Sequence, residues 1–308
     1  MAPGKPLLSP AAPAGVSVCI VAYNALDKLR ACLDSLHAQQ SPRVIDTIVL
    51  DNASAEPVAD TVRADYPWVR LMPNAENLGF AGGTNLAVAA ATQPLRLLLN
   101  PDTVLPTPDT IEKLAACFER VDRLGALGCR LELPDGATQV IAGRRPRAAA
   151  LVLDLLHIRL TPPPAPVRDG LLEAEYICGA ALLTSAEVWE DVGPLDEGYF
   201  MYFEDVDWCR RAARAGYRLA ATPDVTIIHH EGATYGGRTF VRRMHFWRAL
   251  VRYLRRNDGR IAVGLVRLAL ALGGLIKLPW AWLADRSPER AARLELLRLQ
   301  LRLGLRGA

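Results

Sequence analysis

An alternation in the N-terminal part of the chain constrains the fold more than any other feature. Short apolar runs at Val16–Ala22 (VSVCIVA), 47–50 (TIVL), 69–72 and Leu95–Leu99 (LRLLL) are separated by stretches of helical character. Leu26, Leu29, Leu33 and Leu36 recur at helical spacing, residues 54–64 and 82–91 read as further helices, and Ile111, Leu114, Ala115 and Phe118 mark another. A run that is apolar throughout, and not only at every second residue, belongs to a strand buried on both faces. Strand and helix in turn predict an α/β architecture, a parallel sheet with crossover helices. The chain has 308 residues and is 51% apolar, enough to bury such a core.

Beyond this region the pattern is less even. It fails over 142–170, which contains TPPPAP and reads as a variable surface excursion. Regular structure resumes at 176–183. One helix then stops at Gly193-Pro194, another runs from near Glu204 to Gly216, and an Arg/Leu-rich helical segment begins at Phe240. Residues 1–15 hold four prolines and one Lys with no apolar stretch, so they read as a disordered leader and not a secretory signal, which predicts an enzyme facing the cytoplasm. The six cysteines are scattered among apolar neighbours, with no C-x-x-C pair. They predict buried thiols in a reducing compartment and argue against a zinc cage.

In open α/β sheets ligands bind at the carboxyl ends of strands. Three such ends are polar here: Ala22-Tyr23-Asn24, Asp51-Asn52-Ala53-Ser54 and Asn100-Pro101-Asp102-Thr103. Each taken alone is ordinary turn or cap chemistry; together they place an aromatic ring and two carboxylates on one rim. A dinucleotide-binding domain would need a glycine-rich turn after the first strand, and AYNALDK has none. Glycines come later, in Glu76-Asn77-Leu78-Gly79-Phe80-Ala81-Gly82-Gly83-Thr84-Asn85, at a helix start suited either to phosphate or to close packing. Glu204, Asp205 and Asp207 follow an aromatic run. They complement a helix dipole or form a partly desolvated site with a general base. His229-His230 after two isoleucines, with a carboxylate, suits Mg²⁺ or Mn²⁺ bridged to a diphosphate.

VSVCIVAYNALDKLRACLDSL, IVLDNAS, ENLGFAGGTNLAV, LLLNPDT, GPLDEGYFMYFEDVDWCRRA and IIHHEGATYG occur in this order. With these motifs the chain resembles family 2 of the inverting glycosyltransferases, and within it the rhamnosyltransferase-like bacterial branch. The resemblance implies the A-type glycosyltransferase fold, a Rossmann-like nucleotide-diphospho-sugar transferase with a mainly parallel central sheet, over residues 16–238. A C-terminal helical appendage covers 239–308. It implies that Tyr23 and Asp51 hold the base, and that Asn77, Gly79, Gly82, Asn85 and Asn100 lie near the donor's phosphates and sugar. Asp102 and His229 or its neighbour His230 would meet the metal, Asp205 would be the general base, and Glu204, Asp207, Trp208 and Gly179 would shape the acceptor site. The donor would be a dTDP- or UDP-sugar, dTDP-rhamnose first, and the acceptor a glycan or lipid-linked saccharide in cell-surface polysaccharide synthesis. Asn100 replaces the first Asp of the usual Asp-x-Asp metal motif, which removes one charge there. A non-catalytic sugar-nucleotide-binding membrane scaffold is the alternative; the set Asp102, Asp205 and His229 argues for the enzyme.

The net charge of +3 hides an asymmetry: from Arg238 onward there are 16 Lys/Arg against 4 Asp/Glu, so the body is acidic and the tail basic. No nucleic-acid module accompanies the basic tail, and an anionic membrane surface at the inner leaflet is the better partner. Residues 261–283 are mostly apolar but carry Arg267 and Lys277, which disfavours a spanning helix. Either this amphipathic helix lies on the membrane or it packs on the catalytic domain.

Overall fold

The computed structural model describes residues 13–139, 142–145, 165–230, 239–284 and 290–306. Much of the 142–170 excursion, and most of the leader, lie outside the described residues. Strands β1 (Val16–Ala22), β2 (Ile45–Asn52), β3 (Arg70–Asn74) and β4 (Leu95–Leu99) pair in parallel, in the order β3-β2-β1-β4. Helices α1 (Leu26–His37), α2 (Val58–Asp65) and α3 (Gly79–Ala89) connect them. The sheet continues through β12 (Ala181–Ser185), β6 (Leu124–Glu132) and β13 (Arg218–His229), and ends in the short β10 (Leu171–Glu173) and β9 (Val167–Arg168). Because β12 runs antiparallel to both β4 and β6, the sheet is mixed, though mostly parallel.

The β1 side chains show why the run is apolar at every position. Val16, Val18, Ile20 and Ala22 enter one core with Leu29 and Leu33 of α1 and with Ile111 and Leu114 of α4 (Thr110–Glu119). Cys19 and Val21 point the other way. There they meet a second core containing Val88 of α3, Trp189 of α5 (Ala186–Val192) and Trp208 of α6 (Glu204–Arg214). All six cysteines are unpaired; five are buried, and burial pushes the thiols of Cys19, Cys32 and Cys129 up to about 12.

Three elements differ from their sequence reading. The second helix starts at Val58, not at 54, since Pro57 biases Glu56 away from helical geometry and Ser54 is used in a loop. The third helix starts at Gly79, not at 82, and ends at Ala89. Strand β6 was not anticipated, because Gly125 and Gly128 weaken its pattern. A Cβ at Gly128 would lie 2.8 Å from Ile177 Cγ2, so the glycine is there to let β11 (Tyr176–Ile177) sit close.

The C-terminal segment forms α7 (Thr239–Asn257), α8 (Gly259–Ala284) and α9 (Arg290–Arg306). A third core joins Tyr199, Phe203 and Val206 to Leu250, Tyr253 and Leu254 of α7 and to Val263, Val266 and Leu270 of α8. The tail is therefore packed on the body through α7. Gly128→Val is expected to destabilise the fold by about 1–3 kcal/mol through overpacking. Combining it with Ile177→Ala should recover part of that loss in denaturant titrations, and strictly additive losses would contradict the contact.

Candidate functional site

A cavity of about 580 Å³ opens where β1, β4 and β13 present their carboxyl ends. Tyr23, Asn52, Asn77 and Gly79 line one part of it; Asn100, Asp102, Gln139 and His229 line another. Gly179, Glu204 and Asp205 line it as well, together with Phe200 and Tyr202. Seven sequence-predicted positions reach this cavity by way of strand ends and turns far apart in the chain: Tyr23, Asn77, Gly79, Asn100, Asp102, Asp205 and His229. Gly179 and Glu204, expected near the acceptor, reach it as well.

The loops after β1 and β2 are tied to each other. Asn24 N–H donates to Ser54 Oγ (3.1 Å), and Ala55 N–H to Asn24 Oδ1 (2.7 Å). Asp51 is buried just behind the cavity wall and accepts Ser54 N–H at its Oδ1 (3.1 Å). Asn52 holds the next turn, donating to Asn77 Oδ1 (3.1 Å) and Gly79 O (3.0 Å) while accepting Leu78 N–H (3.0 Å). Gly79 has φ +72°, and a Cβ there would lie 2.2 Å from Phe200 O. That carbonyl accepts Phe80 N–H at 2.7 Å, so only glycine allows the 200–203 loop to seat on this turn.

Asp102 and His229 are brought together by main chain. Strand β5 (Thr103–Val104) pairs with the end of β13, in the register Ile228↔Val104 and His229↔Thr103, and His230 N–H donates to Asp102 O (2.8 Å). His229 Nε2 thereby stands 3.3 Å from Asp102 Oδ1 and 3.3 Å from Asn100 Nδ2, and its Nδ1 lies 2.7 Å from Gln139 Oε1. An amide oxygen only accepts, so the ring proton belongs on Nδ1 and Nε2 carries a lone pair. His229 Nε2 and Asp102 Oδ1 then face each other in a buried place. The pair fits a divalent cation of the oxygen- and imidazole-binding kind. Among the described residues no third His, Cys, Asp or Glu completes a cluster, so further ligands would come from a diphosphate and water. His230 is turned elsewhere, its Nδ1 3.1 Å from Lys28 Nζ; burial, then the Lys28 charge, lowers its pKa.

Asp205 opens α6. Its Oδ2 accepts Gly179 N–H (2.9 Å) and its Oδ1 accepts Val206 N–H (2.8 Å). Burial raises its pKa despite these two bonds. Glu204 beside it is pushed well above the usual carboxylate range, by burial first and by the Asp205 charge second, and its Oε2 has no hydrogen-bond partner. Tyr202 and Phe203 precede this pair with φ of 68° each, left-handed values that cost energy for side chains of this size. Rings of the tail hold them: Phe246 lies 6.0 Å from Tyr202 and 5.3 Å from Phe203, and Tyr253 lies 5.4 Å from Phe203.

Five expected site residues stand off the cavity. Gly82 sits against Leu78 inside α3, where a Cβ would approach Leu78 Cβ to 2.9 Å. Asn85 bonds Leu195 O and Glu197 (3.0 Å each) and accepts Leu195 N–H (2.9 Å). Asp207 pairs with Arg211 at 3.2 Å, Trp208 stacks on Trp189 and donates to Gly193 O (2.9 Å), and Asp51 lies behind the wall as described. Conversely, Asn52, Gln139, Arg242 and Phe246 line the cavity although the sequence reading assigned them no role. Arg242 donates to Tyr202 OH (3.1 Å). Nothing in the sequence around Gln139 or Arg242 marks them; their places follow from β7 (Thr138–Gln139) pairing with β6 and from α7 packing on the 199–206 segment.

Comparison with known proteins agrees with this geometry. A family model described as "Glycosyltransferase like family 2" matches residues 13–257. The N-acetylglucosaminyl-diphospho-decaprenol L-rhamnosyltransferase of Mycobacterium tuberculosis is 30% identical over 241 residues, 71% of this chain and 77% of that protein. The rhamnosyltransferase WbbL of Escherichia coli is 24% identical over 79% of this chain and 93% of its own length. Among solved structures, the mannosyltransferase PcManGT of Pyrobaculum calidifontis, in complex with GDP-Man and Mn²⁺, superposes with a TM-score of 0.60 at 19% identity, covering 98% of this chain and 91% of the other. The likeness to that structure supports the A-type fold. The motifs, the fold and these matches lead to one conclusion: the chain belongs to glycosyltransferase family 2, in its rhamnosyltransferase-like branch.

Proposed function

We propose that this glycosyltransferase moves a sugar, rhamnose by first choice, from a dTDP- or UDP-linked donor to a hydroxyl of a lipid-linked saccharide, with inversion and with Mn²⁺ or Mg²⁺. The activity for which the mycobacterial relative is named supports the sugar and the lipid-linked acceptor, and the Mn²⁺ complex of the archaeal structure supports the metal. One observation carries the reading: a buried carboxylate–imidazole pair made for a cation shares a cavity with a carboxylate whose basicity is raised by burial.

In this reading Tyr23 stacks on the base. Asp51, which stands off the cavity, steadies the loop beside it by accepting Ser54 N–H at Oδ1. Asn52, Asn77 and Gly79 shape the ribose and phosphate wall. Asp102 and His229 would hold the divalent ion, oriented by Gln139 and Asn100. When bound, that ion supplies Lewis-acid stabilisation of the departing diphosphate. Asp205 removes the proton from the acceptor hydroxyl, held in place by Gly179 N–H. The oxygen then attacks the anomeric carbon on the face away from the nucleotide. Glu204 lines the same cavity, and burial first and the Asp205 charge second raise its pKa. The catalytic unit extends through α7 to Asn257, where the family match also ends, with α8 and α9 appended. The chain works from the cytoplasmic side at the periphery of the membrane that carries its acceptor.

Asp205→Asn is expected to lower kcat by on the order of 10²–10⁴ while leaving nucleotide titrations unchanged; near-parental turnover would refute the assignment. The acid side of the kcat/KM profile gives a second check. Asp205 must be ionised to accept a proton, and its pKa is raised, so activity falls as pH drops through a value above the usual carboxylate range of about 4. An acid limb at or below that range would contradict the burial argument.

A further inference from the structure

Helix α8 is long and apolar enough, over Gly259–Pro279, to cross a membrane by length and composition. Its two faces differ. Val263, Val266 and Leu270 are buried in the core shared with α7, and Gly304 of α9 sits so close to Ala271 that a Cβ there would lie 2.6 Å from the Ala271 nitrogen. On the other side Ile261, Leu265, Leu268, Leu272 and Leu275 follow at spacings of three and four, with Ile276 beside the last, and all are exposed, Ile261 at 84% and Ile276 at 68%. A soluble chain seldom leaves so long an apolar stripe facing water.

Arg267 explains how the stripe stays uncharged. From sequence it falls in mid-helix, but its side chain turns away from the stripe. Its Nε donates to Gly304 O (3.1 Å) and its Nη2 to Leu305 O (2.8 Å), closing the C-terminal end of α9. The surroundings are cationic: Arg260, Arg298 and Arg302 are exposed, and Asp258 is already paired with Arg210 (3.5 Å). An uncharged apolar stripe, in a tail with 16 basic and 4 acidic residues, matches an anionic bilayer surface. A second copy of the chain would bring the same positive charge and be repelled. Spanning is excluded by the inner face, since α7 and α9, which pack there, carry arginines along their length.

We infer that α8 lies in the plane of the membrane and inserts its outer stripe into the headgroup–acyl boundary of an anionic leaflet, without crossing it. This rests on the lipid-linked acceptor reading, and it specifies how the active site is held beside that acceptor. The test uses the full purified chain and sedimented vesicles of equal parts phosphatidylcholine and phosphatidylglycerol, without substrates. Lack of binding is thus a separate result from lack of transfer. The parent should pellet with these vesicles and far less with pure phosphatidylcholine. Leu268→Glu with Ile276→Glu, both at exposed positions, should lower the partition coefficient by about tenfold or more, with unfolding temperature and donor hydrolysis unchanged. From cell membranes the parent should be released by alkaline carbonate. Unchanged binding of the double variant, equal binding to neutral vesicles, retention after carbonate, or a dimer in light scattering that the double variant abolishes would each overturn the inference.

Discussion

The site depends on a two-residue antiparallel ladder. The pairing of Thr103–Val104 with Ile228 and His229, extended by the bond from His230 N–H to Asp102 O, joins segments whose polar side chains lie up to 129 positions apart. The backbone ladder and the two cores behind it impose that proximity. The fold thus holds a carboxylate oxygen and an imidazole nitrogen 3.3 Å apart.

The other half of the cavity is held differently. Two consecutive left-handed residues, Tyr202 and Phe203, turn the chain so that the first turn of α6 faces inward, and rings from α7 hold that turn. The carbonyl of Phe200 is seated on the Gly79 turn from the other side. A helix that sequence reasoning assigned to an appendage therefore supports the turn that carries Asp205 and lines its cavity through Arg242 and Phe246. The opposite face of the next helix is the one left apolar and exposed. The cavity wall and the exposed apolar stripe are in this way carried by neighbouring elements of one packed tail.

Much of this was legible in the sequence, for identifiable reasons. Strands buried on both faces announce themselves as unbroken apolar runs, so β1 and β4 were read with their true bounds. Strand ends in an α/β sheet are the ligand rim, so Tyr23, Asn100 and Asp102 followed from position alone. Signals with two causes were harder. Glycines at 125 and 128, selected for close approach of Tyr217 and Ile177, hid strand β6. Hydrophobicity says nothing of direction, so the antiparallel β12 was invisible. Within GYFMYFEDVDW, acid and aromatic residues serve both site and core. Composition does not separate Asp205, which faces the cavity, from Asp207, which pairs with Arg211, or from Trp208, which stacks on Trp189. Asn52 and Gln139 act through hydrogen bonds across long sequence separations, which no local pattern records.

The central claim is that Asp102 and His229 grip a divalent ion together with a nucleoside diphosphate, within the same cavity that Asp205 enters. Anomalous diffraction from crystals grown with Mn²⁺ and dTDP measures this directly. The expected result is one manganese peak within bonding distance of Asp102 Oδ1 and His229 Nε2, with the diphosphate completing its shell and Asp205 across the cavity. A manganese site away from this pair, or a nucleotide bound outside the cavity, would contradict the account.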